Sequence, residues 1–488
     1  MQGKSSHKAL QESIEQSVRA METAARAWLD AAEGMLPHMS RTMNVPLTEL
    51  QSLLGLWVKG LGMSGVGSQG LDLWKTFLSG DPALSFSHLL SPDALQADEA
   101  TRLLAKWKEA ATVYLKDLER MAASPRTHTF ELPAMDAEAA AEYMSRLQRS
   151  LQVKARYGPE YYADPEEVEV GPTPSEVVWE DGHVRLLRYH RKDGKAPDAG
   201  VPPLLLVYSI INRPYILDLV PGVSLIEHLV DSGLTVFLLD WGEPTDEDSD
   251  LPLDELVEGS MKEAQEFIRT SCDVDRVSQL GYCIGGVLAV MYAALYPEEL
   301  ASLITLTTPI TGEQGGIVSF WADPRLFPLQ GIVAANGNVP GKLLRYTFTA
   351  FKPYVELQKW KTFYENLLRD DMLRLFLPID KWSNDNPDVP GKAFLQFVQA
   401  VYHEDSLKSG RTEIAGRRVD LSRITCPLLN IVAKKDWIVT PESAAPLNEL
   451  VGSSVNRLEQ IPGPHVGIIM DPRTRYAWDV MVEFLRGN

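Results

Sequence analysis

The stretch Leu280-Gly281-Tyr282-Cys283-Ile284-Gly285-Gly286 constrains this chain more than any other. An apolar run, Val277 to Leu280, leads into it after the charged Asp273 to Arg276. A run of small and apolar residues, Val287 to Ala294, leaves it. The pattern predicts a strand, a sharp turn and a helix. Gly-x-Cys-x-Gly at such a turn presents the cysteine as a nucleophile, with Gly281 and Gly285 letting strand and helix approach closely. The helix that starts beneath Cys283 offers backbone N–H groups and a positive dipole end to any negative charge that develops there. A small buried cysteine at a strand–helix junction would look the same in isolation, so the remaining sequence has to decide.

The chain has 488 residues, 45% hydrophobic and 23% charged, enough for more than one core. Its formal net charge is -19, and residues 1–160 contribute little of it, with 17 Lys+Arg against 19 Asp+Glu. An acidic main body argues against nucleic acid as a partner. An anionic substrate must then be met by local cations or backbone N–H groups. The three cysteines, Cys272, Cys283 and Cys426, have no CxxC spacing. They suggest neither a disulfide framework nor a metal site, and a reducing cytoplasm is the expected setting. The N-terminal residues lack an apolar signal core, and no uncharged apolar run reaches membrane-spanning length.

Residues 1–155 read as a helical N-terminal region. Helices are expected at Leu10–Met35, Pro46–Leu61, Pro92–Met121 and Asp136–Val153, with a flexible joint at Gly62–Gly70. Trp28, Trp57, Trp74 and Trp107 lie on its apolar faces, where core packing and a docking surface are the competing readings. Residues 156–174 read as a linker. A β-hairpin with a type I′ turn at Asp181-Gly182 is expected next. Strands and helices then alternate through residues 175–488, with strands at Leu204–Tyr208, Leu234–Leu239, Leu303–Leu306, Leu428–Val432 and Arg457–Ile461. Helices are expected at Leu253–Ser271, Val439–Val451 and Arg473–Arg486. Continuous apolar strands separated by helices imply a mostly parallel central sheet covered on both faces. The alternation breaks at about 312–409, an aromatic- and proline-rich insertion that reads as a cap over the carboxyl edge of the sheet.

A cysteine nucleophile needs a base and a group that orients the base. After Cys283, the loop Pro462-Gly463-Pro464-His465-Val466-Gly467 follows a strand and can project an imidazole toward the turn. His403, between Tyr402 and Glu404 in the cap, reads as surface or packing. Asp436 follows the strand Leu428–Val432 and precedes a helix opening at Pro441. The order Cys283, Asp436, His465 is that of an α/β-hydrolase fold. An oxyanion hole is expected from the backbone N–H groups of Ile284 and Ile211. Asn212, Arg213 and Tyr215, in the same loop as Ile211, are candidate substrate contacts. For Arg213 a phosphate contact competes with a structural salt bridge.

Several motifs together resemble polyhydroxyalkanoate synthase. They are Val207-Tyr208-Ser209-Ile210-Ile211-Asn212-Arg213-Pro214-Tyr215, Asp240-Trp241-Gly242, the Cys283 box, Asn338-Val339-Pro340-Gly341 and Phe351-Lys352-Pro353. Lys381-Trp382 with Asp385, Pro387 and Asp388, Ile424-Thr425-Cys426-Pro427, Asp436, and Gly463-x-His465 complete the set. The resemblance spans about residues 170–488 and is closest to the catalytic subunit of the two-component (class III and IV) enzymes. Pro464 stands where a second glycine usually precedes the histidine, and the extension 1–155 is longer than in short catalytic subunits.

The resemblance implies that Cys283 carries the growing chain, with Asp436 and His465 as its partners, and that (R)-3-hydroxyacyl-CoA is the substrate. It implies no cofactor and no metal beyond that CoA thioester. It also implies a cytoplasmic location at the surface of polyester granules and a homodimer, with an accessory synthase subunit as a further partner. A thioesterase or an intracellular polyhydroxyalkanoate depolymerase using the same three residues is the alternative.

Overall fold

The computed structural model describes residues 135–158, 160–312, 316, 318, 327–351, 359 and 361–487. The helices expected before residue 135, the joint at 62–70 and the four tryptophans Trp28, Trp57, Trp74 and Trp107 lie outside these residues. Two compact units are distinguished. One contains the described parts of 135–163 and 346–376, and the other contains 164–345 and 377–487.

In the first unit, α1 (Ala137–Tyr157) begins where the sequence predicts, because the Asp136 side chain accepts the Ala139 N–H at 2.9 Å. It runs four residues past the expected Val153 and stops at Gly158. The Tyr143 hydroxyl donates to the Tyr364 carbonyl at 3.1 Å, and Arg146 pairs with Asp370 at 2.6 Å. Tyr162 packs its ring on Phe363 at 4.8 Å and meets Phe376 edge-on at 5.4 Å.

The second unit is built on an eight-stranded sheet. Its strands are β1 (Ser175–Asp181), β2 (Val184–Tyr189), β3 (Leu204–Val207), β4 (Val236–Asp240), β5 (Val277–Tyr282), β6 (Leu300–Leu306), β7 (Leu428–Ala433) and β8 (Asn456–Ile461). The spatial order is β1-β2-β4-β3-β5-β6-β7-β8. Only β2 runs antiparallel to its neighbours; the other pairings are parallel. The expected mostly parallel sheet is therefore present. All residues of β3, β4, β5 and β7 are buried, as strands covered on both faces require. Several polar side chains that enter this core are paired. Ser302 donates to Ser278 at 2.9 Å, and Thr305 donates to Asn430 at 2.9 Å. Asn430 passes its own amide to the Ala444 carbonyl at 3.0 Å. Helices α2 (Leu225–Asp231), α3 (Lys262–Cys272), α4 (Ile284–Leu295) and others described below connect the strands. Every residue of α4 is buried, consistent with a helix that is apolar on all sides.

Three local expectations change. The β1–β2 pairing closes at Asp181 opposite Val184, so the turn is Gly182-His183, and only Gly182 has a positive φ. A type I′ turn needs two, so the turn is not of that type. The helix expected over Leu253–Ser271 begins with a wide π turn at Glu255–Met261 before α3. The helix expected over Val439–Val451 is two short pieces, Pro441–Ala444 and Leu447–Leu450, broken at Pro446, which cannot donate a helical hydrogen bond. Thr173, at the end of the segment read as a linker, is buried, and the Asp218 carboxylate accepts both its N–H and its hydroxyl, at 3.0 and 2.7 Å.

Within the expected insertion, α5 (Leu329–Asn336), α6 (Gly341–Phe351), α7 (Asp370–Asn384) and α8 (Gly391–Val398) are helical. The chain closes with α9 (Tyr476–Gly487). Two motifs that are far apart in sequence meet here. Val339 and Val389 exchange both backbone hydrogen bonds, at 2.8 and 3.0 Å, and Asp388 accepts the Gly341 N–H at 2.9 Å.

Candidate active site

Cys283 lies between the last residue of β5 and the first of α4, with φ 53° and ψ -120°. A non-glycine residue held at positive φ is strained, and such strain persists only where surrounding structure imposes it. Here the Cys283 N–H is tied to the Leu306 carbonyl at 3.0 Å, and the Cys283 carbonyl receives Gly286 N–H at 3.0 Å. The flanking glycines are required by contact. A Cβ on Gly281 would lie 2.4 Å from Gly286 Cα, and one on Gly285 would lie 2.2 Å from the Val207 carbonyl oxygen and 2.4 Å from that of Tyr208. Gly286, which the sequence reading did not single out, is equally constrained, since its Cβ would meet Thr308 Oγ1 at 1.8 Å.

This contact yields a prediction. The atoms facing Gly285 belong to backbone and cannot rotate away, so Gly285→Ala is expected to cost about 3 kcal/mol or more in urea unfolding. Gly331→Ala, on the exposed side of α5 with open space around it, is expected to be neutral or to stabilise by up to about 1 kcal/mol.

The loops after β7 and β8 are laced together by backbone bonds from Lys434 N–H to the Ile461 carbonyl and from Lys435 N–H to the Gly463 carbonyl, both 2.9 Å. That lacing brings Asp436 to His465 even with Pro464 in the loop. Asp436 Oδ1 accepts the N–H groups of Ile438 and Val439, at 2.8 and 2.9 Å. Its Oδ2 lies 2.6 Å from His465 Nδ1. A carboxylate can only accept, so Nδ1 carries the proton. The other ring nitrogen is left free of that bond, and Cys283 lies near enough for its charge to act on the ring. Asp436 and His465 are both buried. Burial alone would push the His465 pKa down, but the charges of Asp436 and Cys283 outweigh it and hold the imidazole well above its ordinary value. The three residues singled out in sequence are thus buried near one another, with the imidazole bonded to the carboxylate and within reach of the charge on Cys283.

The other candidates divide. Ile284 opens α4 directly after Cys283. Ile211 is buried in the loop after β3, which lies in contact with the turn through Val207 and Tyr208. Its N–H makes only a long 3.5 Å contact with the Ser209 hydroxyl. Arg213 and Tyr215 are engaged elsewhere. Asp385 accepts from Arg213 Nε at 3.1 Å and from the Tyr215 hydroxyl at 3.0 Å. Arg213 also bonds the Gly242 carbonyl at 2.9 Å and pairs with Glu243. Trp382 Nε1 donates to the Arg213 carbonyl at 2.9 Å, and the Asn386 amide reaches the Ile211 carbonyl at 3.3 Å. Residues 382–386 therefore clasp the loop that carries Ile211. A pocket of about 340 Å³ opens beside this clasp, lined among others by Arg185, Arg213, Tyr215 and Asp385. Asn212 is half-buried within the loop.

Three tyrosines surround the cluster, and the sequence reading named none of them as site residues. The Tyr282 ring is 5.2 Å from that of His465 and stacks on Tyr208 at 5.3 Å, with the planes 8° apart. Tyr402 lies in a π turn, Gln399–His403, that follows α8. Burial, then the negative charges of Cys283 and Asp436, raise its pKa well above the usual value, so it lies within their field. His403, by contrast, is exposed, as expected.

Sheet order, turn and loop positions define the class, and comparison with known proteins agrees. A family profile described as the alpha/beta hydrolase fold matches residues 202–472. The chain is 35% identical over 324 residues to the poly(3-hydroxyalkanoate) polymerase subunit PhaC of Allochromatium vinosum, covering 66% of this chain and 90% of that one. It is 34% identical over 310 residues to the PhaC subunit of Haloferax mediterranei, covering 63% of this chain and 62% of that one. It is 27% identical over 445 residues to that of Cupriavidus necator, covering 84% and 72%. The chain belongs to the poly(3-hydroxyalkanoate) polymerase PhaC family within the alpha/beta hydrolase fold.

Proposed function

We propose that this chain is a polyhydroxyalkanoate synthase. Its substrate is (R)-3-hydroxyacyl-CoA, with short-chain 3-hydroxybutyryl-CoA foremost, and it acts through a covalent thioester on Cys283. The observation that carries this reading is the buried His465–Asp436 pair, set close enough to Cys283 for its charge to act on the imidazole, in a chain of the PhaC family.

The raised pKa of His465 favours the thiol proton resting on its second ring nitrogen, and the Cys283 sulfur so freed bonds to the thioester carbonyl carbon. The N–H groups of Ile284 and Ile211 receive the oxyanion. The carbon–sulfur bond to CoA then breaks, and His465 returns the proton to the leaving CoA sulfur. One thioester replaces another, so the acyl group stays activated. In the second half, the 3-hydroxyl of another hydroxyacyl group gives its proton to His465, and its oxygen bonds to the carbonyl carbon. The bond to Cys283 breaks, the thiol regains a proton, and the lengthened chain is left as a CoA thioester, which the first half of the cycle returns to Cys283 with release of CoA. Asp436 orients His465 and balances its positive charge. No cofactor is needed beyond the CoA thioester itself.

Water is the competing acceptor, and its attack would turn synthesis into hydrolysis. Burial of Cys283 and His465 favours transfer. Among the described residues no helix is long and apolar enough to cross a membrane. A cytoplasmic enzyme at the surface of its own product, acting as a homodimer or with an accessory subunit, fits the proposal. The test is incubation of the purified full-length chain with 3-hydroxybutyryl-CoA, measuring CoA with a thiol reagent and polymer by methanolysis. Polymer accounting for the released CoA is expected. Free 3-hydroxybutyrate in equal amount to CoA would make the chain a thioesterase instead.

A further inference from the structure

Tyr208 follows β3 immediately and packs on the nucleophile turn. Its carbonyl oxygen faces Gly285 and accepts Trp241 Nε1 at 2.9 Å. Its ring stacks on Tyr282, the residue before Cys283, and Tyr282 in turn lies against the His465 ring. The residue is 1% exposed, and its phenol oxygen finds no hydrogen-bond partner among the described residues. The Trp382 indole is beside it, but its N–H donates to the Arg213 carbonyl at 2.9 Å. A buried hydroxyl without a partner costs stability, and phenylalanine would keep the ring stack without that cost. Burial first, and the negative charge at Cys283 second, hold the Tyr208 phenol protonated, so it can donate but does not act as a base.

We propose that the Tyr208 hydroxyl donates a hydrogen bond to the 3-hydroxyl oxygen of the hydroxyacyl group as it is loaded onto Cys283, making Tyr208 a specificity-determining contact. The assignment rests on the hydroxyacyl-transfer reading above. The carbonyl oxygen of the substrate already has two backbone donors, Ile284 and Ile211, in that reading. The 3-hydroxyl, two carbons further along, has none. A hydroxyl that accepts from Tyr208 keeps its own proton available to a base, so the contact orients the group without blocking its later use. A pocket built around a hydroxyl contact discriminates against an analogue that lacks the group.

The test compares 3-hydroxybutyryl-CoA with butyryl-CoA, which has no 3-hydroxyl, in single-turnover acylation of the full-length chain read by CoA release. Wild type is expected to react faster with the hydroxylated thioester. Tyr208→Phe is expected to slow that reaction roughly 10- to 100-fold, to leave butyryl-CoA within about twofold, and to unfold at the same or a higher temperature. Equal rates of Tyr208→Phe and wild type on 3-hydroxybutyryl-CoA, or an equal loss on both substrates, would overturn the assignment. If the variant does not fold, the wild-type comparison decides alone, and equal acylation by the two thioesters overturns it. Absence of CoA release from either thioester by wild type is a separate result, which overturns the proposed function and this contact with it.

Discussion

Cys283→Ala is expected to lower CoA release and polymer formation by at least about 10³-fold while the protein stays folded. Alanine keeps the Cβ, so the strain at φ 53° is the same in both proteins, and only a sulfur is lost from a buried site. The other two cysteines are internal controls. Cys426 is buried, and burial pushes its thiol up to about 12, which leaves it unreactive near neutrality. Cys272 is half-buried at the end of α3. Cys272→Ala and Cys426→Ala are therefore expected to keep wild-type turnover. Residual polymerisation by Cys283→Ala above a few per cent of wild type, in protein with a native unfolding curve, would remove Cys283 from the mechanism.

The second large effect separates the base from its orienting group. His465→Gln is expected to abolish acylation of Cys283, because His465 is the imidazole on which the Cys283 charge acts and glutamine cannot take its proton. Asp436→Asn is expected to retain some acylation but to elongate poorly, since the base survives with weakened orientation and charge balance. Rapid-quench measurement of the first CoA released, set against steady-state turnover, tells the two apart. Equal and complete loss of the first turnover in both variants would contradict the division.

The same pair makes a pH signature. The folded His465 pKa is raised from its ordinary 6.5 to about 10. The resulting stability is fully present below about pH 6.5 and is lost as pH rises through the folded value. Asparagine removes the Asp436 charge and leaves only that of Cys283 to oppose burial, which acts in the opposite direction. The stability gap between wild type and Asp436→Asn should therefore be widest in acid and close in alkali.

Much of this site was legible because each feature is local. Val277 to Leu280 and Leu428 to Val432 are apolar runs bounded by turn residues, so the strands and the loops that follow them could be placed to within a residue or two. Cys283, Asp436 and His465 stand just after the carboxyl ends of β5, β7 and β8, and a parallel sheet brings such ends to one edge whatever lies between. Features that depend on distant partners were not legible. For Arg213 a structural salt bridge competed with a phosphate contact, and the salt bridge is what forms, but nothing near it in sequence names its partner Asp385, 172 residues away. Tyr208 and Tyr402 carry no local mark of their nearness to Cys283. Gly286, in the first turn of α4, owes its constraint to Thr308, which is distant in sequence. The π turn at Glu255–Met261 arises within an ordinary helical pattern, and Pro446 is a break that the sequence did contain but the reading passed over.

The depth of the sulfur has a consequence for how a product would grow. Cys283 leaves 7% of its surface to solvent, and His465 leaves 5%. On the proposed chemistry every unit is added at this buried point, so the oldest part of the polyester is the part farthest from the protein. Growth proceeds from the root, as hair grows, and the free tip never returns to the enzyme. The polymer is bonded to the protein between additions, which makes synthesis processive without any clamp around the product. Molecular mass is then decided at one bond, by how often the next hydroxyl arrives before water does.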